Sequence, residues 1–215
     1  MSKPRAKKIK LILFDVDGVL TDGKIWIFPS PAGADQSVLE QSAGAPSKLR
    51  SGVSAPEAPQ PGFGFQSASL IEAKGFHAHD GTAISLARLA GLKTGLITKR
   101  RSETVALRAR DLKIDHVYQG IQDKAGVFLQ IIEKEGISAS EAAFVGDDVI
   151  DLPVMRRCGL AIAVKNARPE VKSEAHMVTA HAGGDGAARD AVEFILKAQG
   201  KWKNVVEEYI SQRGG

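Results

Sequence analysis

The stretch Leu11-Ile12-Leu13-Phe14-Asp15-Val16-Asp17-Gly18-Val19-Leu20-Thr21-Asp22-Gly23 decides the fold. An apolar run over 8–14 breaks abruptly into two aspartates and a glycine, as a buried parallel strand does when its carboxyl end carries a ligand site. Asp15 and Asp17 stand two positions apart, close enough to serve one reacting group. Gly18 frees the backbone to turn and aim N–H groups inward. That spacing suits a phosphate and a metal together, although an isolated Asp-x-Asp also occurs as a loop-capping or surface pair. The rest of the chain supplies the context.

Outward from this strand, short apolar runs ending in polar or glycine residues alternate with segments of helical periodicity, the βα pattern of a parallel sheet. Strands are predicted at 8–14, 93–98, 116–119, 142–145, 160–164 and 177–179. Helices fill the intervals, with periodic apolar positions at 81–90, 123–135, 185–199 and 202–212. Ser138 and Glu141 have capping-box spacing, but the next strand follows so soon that only a short turn fits. The fold class is α/β, a doubly wound parallel sheet of Rossmann-like type.

One stretch interrupts the alternation. Residues 29–69 hold six of the nine prolines together with many Ser, Ala, Gly and Gln residues, and read as a disordered excursion. The β-prone flanks at 24–28 and 70–76 make the arms of a hairpin, with a Pro/Ala/Ser-rich flexible insertion over 30–67 at its tip. Ile25, Trp26, Ile27 and Phe28 would give that hairpin two apolar faces, more than a free hairpin should expose, so an oligomeric contact is plausible. The 215 residues otherwise suffice for a single domain.

Composition excludes several classes. With 43% hydrophobic and 25% charged residues the chain is an ordinary globular one. No apolar run approaches the ~20 residues of a membrane span, and the one near the start is too short for a secretory core. A single cysteine, Cys158, permits no intrachain disulfide and fits a reducing, cytoplasmic setting as a packed small hydrophobe. Net charge is +4, with much of the excess in Lys3, Arg5, Lys7, Lys8 and Lys10. No aromatic platform or second basic stripe accompanies that arm, so it reads as a solvated flexible terminus; neither nucleic acid nor membrane is expected as a partner.

A second carboxylate cluster closes the strand at 142–145: Gly146-Asp147-Asp148, then Asp151. Crowded negative charges raise one another's pKa unless a cation intervenes, so a divalent ion is the economical reading, and Mg2+ suits ligands that are all oxygen. Between the clusters, Thr98 ends a strand and Lys124 starts a helix, a hydroxyl and a cation for an anionic substrate. Each alone would be unremarkable, Thr98 as an N-cap and Lys124 as a solvated first-turn residue.

Asp15-Val16-Asp17-Gly18-Val19-Leu20-Thr21-Asp22, Thr98, Lys124 and Gly146-Asp147-Asp148-x-x-Asp151, in this order, resemble the four motifs of the haloacid dehalogenase superfamily of phosphotransferases. More narrowly, Asp80-Gly81, Val117-Tyr118-Gln119-Gly120, Pro153-Val154-Met155, Ala182-Gly183-Gly184 and Ala198-Gln199-Gly200-Lys201 resemble the 3-deoxy-D-manno-octulosonate 8-phosphate phosphatases. The resemblance implies the haloacid dehalogenase core with a β-hairpin and no large cap domain. It also implies a homotetramer in which neighbouring subunits help close the site, and a small phosphorylated sugar acid, the eight-carbon compound used for lipopolysaccharide, as substrate.

The resemblance further implies roles. Asp15 is the nucleophile that forms an aspartyl-phosphate, and Asp17 the acid and then the base. Mg2+ is held by Asp15, Asp147 and the backbone carbonyl of Asp17; Thr98 and Lys124 bind phosphoryl oxygens, and Asp148 and Asp151 orient Lys124 or metal-bound water. His77, Ala78, His79, Asp80 and Gly81 fall beside the substrate, with Arg100 and Arg108 as contacts for phosphate or carboxylate. The chain departs from the family at Lys99, where glycine is usual, and at Ser85 and His79, where arginine is common. A nine-carbon sugar acid phosphate, another small phosphomonoester, or a noncatalytic subunit of a larger enzyme are the alternatives.

Overall fold

The computed structural model describes residues 2–29 and 70–214. The 30–67 insertion lies outside the described residues. In chain order the strands are β1 (Leu11–Phe14), β2 (Trp26–Pro29), β3 (Leu70–Ala73), β4 (Lys93–Ile97), β5 (His116–Tyr118), β6 (Ala142–Gly146), β7 (Leu160–Ala163) and β8 (Met177–Val178). The helices are α1 (Ser2–Ala6), α2 (Ala78–Leu89), α3 (Glu103–Asp111), α4 (Lys124–Glu135), α5 (Leu152–Met155), α6 (Pro169–Glu174), α7 (Ala187–Ala198) and α8 (Trp202–Ser211).

The chain divides into two units, one of residues 1–25 with 74–215 and one of residues 26–73. In the larger unit six strands pair in parallel, in the order β5-β4-β1-β6-β7-β8. The chain builds outward from β1 through β4 to β5, then returns to the other side of β1 for β6, β7 and β8. This reversal places a crevice at the carboxyl end of β1, where ligands of open α/β sheets bind.

The four residues of β1 are fully buried, as are those of β7 and Ala142, Ala143, Phe144 and Val145 of β6. Continuous apolar runs therefore mark strands covered on both faces, as the sequence pattern predicts. Helix α7 buries Ala187, Ala188, Ala191, Val192, Ile195 and Leu196, and packs on α2 through small side chains that let the helices approach. Helix α4 starts at Asp123, whose side chain accepts from Gly126 N at 2.9 Å, and stops at left-handed Gly136. The Ser138 and Glu141 pair closes a short 3-10 turn, Ala139–Glu141, as expected.

In the smaller unit β2 and β3 pair antiparallel, with Pro29 opposite Leu70. The chain thus leaves and re-enters the hairpin at adjacent positions. Among the described residues no large cap domain accompanies it.

The basic start of the chain corrects one expectation. Instead of a solvated arm, residues Ser2–Ala6 form a helical turn with Ala6 fully buried. Arg5 Nη1 donates to Gly159 O at 2.8 Å, and Gln199 Nε2 donates to Ala6 O and Ile9 O at 3.2 and 2.7 Å. These long-range bonds are invisible to local charge patterning. The first strand is Leu11–Phe14 where 8–14 was expected. Cys158 is buried, and burial pushes its thiol up to about 12, an inert packing residue.

Candidate active site

Phe14 pairs with Leu96 on one side and Val145 on the other, so the residues that follow β1, β4 and β6 emerge at one level. Asp15, Asp17, Thr98, Lys99, Arg100, Asp147, Asp148 and Ile150 line a single cleft there, of about 180 Å³. Lys99 and Arg100 are exposed on its rim, whereas Thr98 is 3% exposed.

Asp15 is 4% exposed, and its amide donates to Val145 O at 3.0 Å. Lys124 Nζ lies 2.9 Å from Asp15 Oδ1 and donates to Asp151 Oδ1 at 2.8 Å. Asp151 Oδ2 accepts the amides of Asp147 at 2.9 Å and Asp148 at 3.4 Å. One buried lysine therefore faces three clustered carboxylates. Burial pushes Asp15 up to about 6, with Asp151 adding to the rise and Lys124 partly offsetting it. Burial likewise pushes Asp147 up to about 7, reinforced by Asp151, Asp15 and Asp148. For Lys124 burial opposes the charge, but Asp15 and Asp151 outweigh it and its pKa is raised.

These residues fit a divalent cation. Oxygens of Asp15, Asp147 and Asp151 lie within 4.8 Å of one another. Asp151 is already committed through both oxygens, but Asp147 Oδ1 is buried without a hydrogen-bond partner among the described residues. A buried acceptor left unsatisfied is costly, and a cation shared with Asp15 would satisfy it. Asp148, expected to orient Lys124 or metal-bound water, lines the cleft and accepts from Val149 N at 2.7 Å, capping the turn Val149–Asp151.

Two glycines make room for this geometry. A Cβ on Gly18, whose φ is +90°, would collide with the Asp147 carboxylate, and one on Gly183 would collide with the Gly18 carbonyl. Gly184 N donates to Val19 O at 3.1 Å, and Asn166 bridges Gly18 O and Gly183 N at 3.2 and 2.7 Å. The Ala182-Gly183-Gly184 stretch is thus a backbone clamp on the loop that carries Asp17 and Gly18. On the other side Thr98 N donates to Tyr118 O, Ile121 N to Thr98 O, and Ser102 N to Gln119 Oε1, at 2.9, 3.0 and 2.8 Å. The Tyr118-Gln119-Gly120 stretch braces the Thr98 turn in the same way.

Residues 77–81 and Arg108 are placed differently. His77, Asp80, Gly81 and Arg108 line a cavity of about 10 Å³ that shares no residue with the acidic cleft. Asp80 is 3% exposed and accepts Gly186 N and Arg189 N at 3.3 and 2.9 Å, holding the start of α7. The Arg108 guanidinium lies over the Phe76 ring, 5.9 Å from its centroid, and against Gly81. Ala78 and His79 are exposed, and the His79 ring meets that of His77 edge to face at 4.8 Å between centroids. Of the expected substrate contacts, Arg100 alone lies in the cleft lining. Position in a motif fixes which strand end a residue follows, but not which way its side chain turns.

Sequence reasoning also missed two residues. Lys74, buried at the end of β3, hydrogen-bonds Asp17 Oδ1, and Asn166 ties the two glycine loops together. Neither carries a local signal, since a lysine closing a strand and an asparagine in a loop are both commonplace.

Residues 98–189 match the family of haloacid dehalogenase-like hydrolases. The chain is 33% identical over 197 residues, 92% of its length and 84% of the other's, to the 3-deoxy-D-manno-octulosonate 8-phosphate phosphatase KdsC of Escherichia coli (strain K12). It resembles the solved structure of a probable YrbI family phosphatase from Pseudomonas syringae, with TM-score 0.76 and 34% identity over 97% of this chain and 96% of that one. A similar likeness, TM-score 0.74 and 29% identity over 96% and 97% of the chains, holds for the Moraxella catarrhalis 3-deoxy-D-manno-octulosonate 8-phosphate phosphatase in complex with magnesium, phosphate and KDO.

Proposed function

Since the chain belongs to the haloacid dehalogenase-like hydrolases, in the family of the 3-deoxy-D-manno-octulosonate 8-phosphate phosphatases, we propose that it removes the phosphate from that sugar acid through an aspartyl-phosphate. The observation that carries this reading is the clustering of Asp15, Asp147 and Asp151 at the sheet's switch point, with Lys124 paired to Asp15 and Asp151. Three carboxylates crowded together without enough donors are a stability burden, and they make sense as the seat of a cation and an anionic substrate.

Asp15 attacks phosphorus in line, and the bond to the sugar oxygen breaks with its electron pair going to that oxygen. Asp17 supplies the proton that the leaving oxygen needs. It then takes a proton from the water that attacks the aspartyl-phosphate, releasing inorganic phosphate and restoring the Asp15 carboxylate. Thr98 and Lys124 bind the phosphoryl oxygens, Gly18 contributes its permissive turn, and Arg100 contacts the phosphate or the sugar carboxylate from the rim. Mg2+, held by Asp15, Asp147 and the Asp17 carbonyl, would neutralise phosphate charge so that one anion can approach another. Asp151 positions Lys124.

The test is inorganic phosphate release from 3-deoxy-D-manno-octulosonate 8-phosphate, abolished by a chelator and restored by Mg2+. Silence on every phosphorylated sugar acid, with metal present, would overturn the reading. Relative kcat/KM against a nine-carbon analogue fixes the sugar. Ser85, where the family often has arginine, donates to the Gly81 carbonyl of its own helix at 3.2 Å, which motivates that comparison.

Assembly and placement in the cell extend the same reading. Trp26, Ile27, Phe28 and Ile71 are 54%, 58%, 48% and 46% exposed, which supports a homotetramer built through the hairpin, testable by light scattering. Residues 1–215 act as a single phosphatase domain, and deletion of 30–67, read by activity and assembly, tests whether that segment takes part in either. No described helix is long and apolar enough to cross a membrane, in keeping with a cytoplasmic enzyme.

A further inference from the structure

We propose that Lys74 is the positioning residue for Asp17, pinning one carboxylate oxygen so that the other faces the leaving oxygen; this rests on the phosphatase reading above. The Lys74 side chain is 0% exposed, and its Nζ hydrogen-bonds Asp17 Oδ1. Arg100 faces the other oxygen differently: its Nε is 3.9 Å from Oδ2, beyond hydrogen-bond reach, and 46% of its side chain is exposed. Asp17 itself remains 21% exposed and lines the cleft, whereas Lys74 does not. The two oxygens of Asp17 therefore have distinct situations. Oδ1 is fixed by a buried donor, and Oδ2 is open to whatever enters.

A lysine with no exposed side-chain surface has lost rotamer freedom and hydration, and it is retained where its charge meets a specific partner. A carboxylate on a short side chain can rotate about its terminal bond, and a misaimed acid is a poor one, because proton transfer demands hydrogen-bond geometry. Locking Oδ1 from outside the cleft sets the plane of the carboxylate without placing a competing donor among the substrate's oxygens. Lys74 acts through Asp17 and touches nothing that reacts.

The experiment separates this from a merely structural ion pair by varying the leaving group. With Mg2+ present, kcat/KM reports the steps through departure of the leaving group. A sugar alkoxide needs the proton of Asp17, whereas p-nitrophenolate leaves without one. Lys74→Met should lower kcat/KM about 10²-fold on the sugar acid phosphate but less than about 5-fold on p-nitrophenyl phosphate, and Lys74→Arg should recover most of the loss. Asp17→Asn should show the same selectivity, and adding Lys74→Met to it should lower neither rate further. Equal losses on both substrates, additive losses in the double variant, or a Lys74→Met enzyme equal to wild type would each overturn the proposal. If Lys74→Met alone does not fold, the double variant, which removes both charges of the Lys74–Asp17 pair, decides against Asp17→Asn by itself. Wild-type silence on both phosphates would instead sink the phosphatase reading.

Discussion

Two corners of this molecule bury carboxylates, and they do so in opposite ways. At the start of α7, Asp80 is held by two backbone amides, and its raised pKa comes chiefly from burial, partly offset by the bonds it accepts. At the end of β1, Asp15, Asp147 and Asp151 compete for one lysine and a few amides, and one oxygen of Asp147 has no partner among the described residues. Donors match acceptors in the first corner and fall short in the second. That deficit singles out the second corner as the candidate reacting site, although both carry an aspartate beside a glycine near a helix start.

The contrast breaks most readily by substitution. Asp15→Asn should lower kcat by about 10³-fold or more, since an amide is a poor nucleophile toward phosphorus, while leaving the melting temperature at or above that of wild type. Asp80→Ala should do the reverse. It strands the amides of Gly186 and Arg189, costing about 2 kcal/mol and lowering Tm by roughly 4–8 °C, with kcat unchanged in the protein that remains folded. Activity lost with Asp80 at full stability would move that residue into the site. Kinetics and thermal melts on the same preparations check both.

Gly183→Ala sharpens the boundary between scaffold and site. Its methyl group would collide with the Gly18 carbonyl, so the loop carrying Asp17 must shift. A destabilisation of about 1–2 kcal/mol, near 4 °C in Tm, should come with a disproportionate loss of kcat, because small displacements at a reacting centre are amplified in the rate. Loss of stability alone would show that the clamp serves the fold only.

How much of this was legible in the sequence follows from where the information resides. The parallel sheet and the placement of Asp15, Thr98 and Asp147 at or just past strand carboxyl ends follow from apolar runs alternating with helical segments, which are local and repetitive. The helical turn at Ser2–Ala6 depends on Arg5 and Gln199 reaching residues more than a hundred positions away, and no window of sequence holds that. The same holds for side-chain direction. Motif position puts Asp80 and Arg108 beside the substrate but says nothing of their packing, which sets Asp80 against the start of α7 and Arg108 over Phe76. Lys74 escaped for the complementary reason: nothing local marks a lysine whose partner lies across the fold.

The smallest expected effect probes the charge deficit itself. Asp15 and Asp147 have pKa values raised in the folded protein to about 6 and about 7, against ordinary carboxylate values when unfolded. Between those limits the folded state binds more protons than the unfolded state, so without metal stability is greatest below about pH 4 for this pair and falls as pH rises through about 7. His176 runs the other way, because its pKa is lowered by burial and its Nδ1 accepts from Ala161 N at 2.9 Å. The informative quantity is therefore the difference between wild type and Asp147→Asn. In chelator at pH 7.5 the variant should melt about 3 °C above wild type, with the gap closing at pH 5, and saturating Mg2+ should raise wild type but not the variant. A wild type at least as stable as the variant in chelator at pH 7.5 would mean that the carboxylates are satisfied without a cation, and the difference between the two corners would vanish.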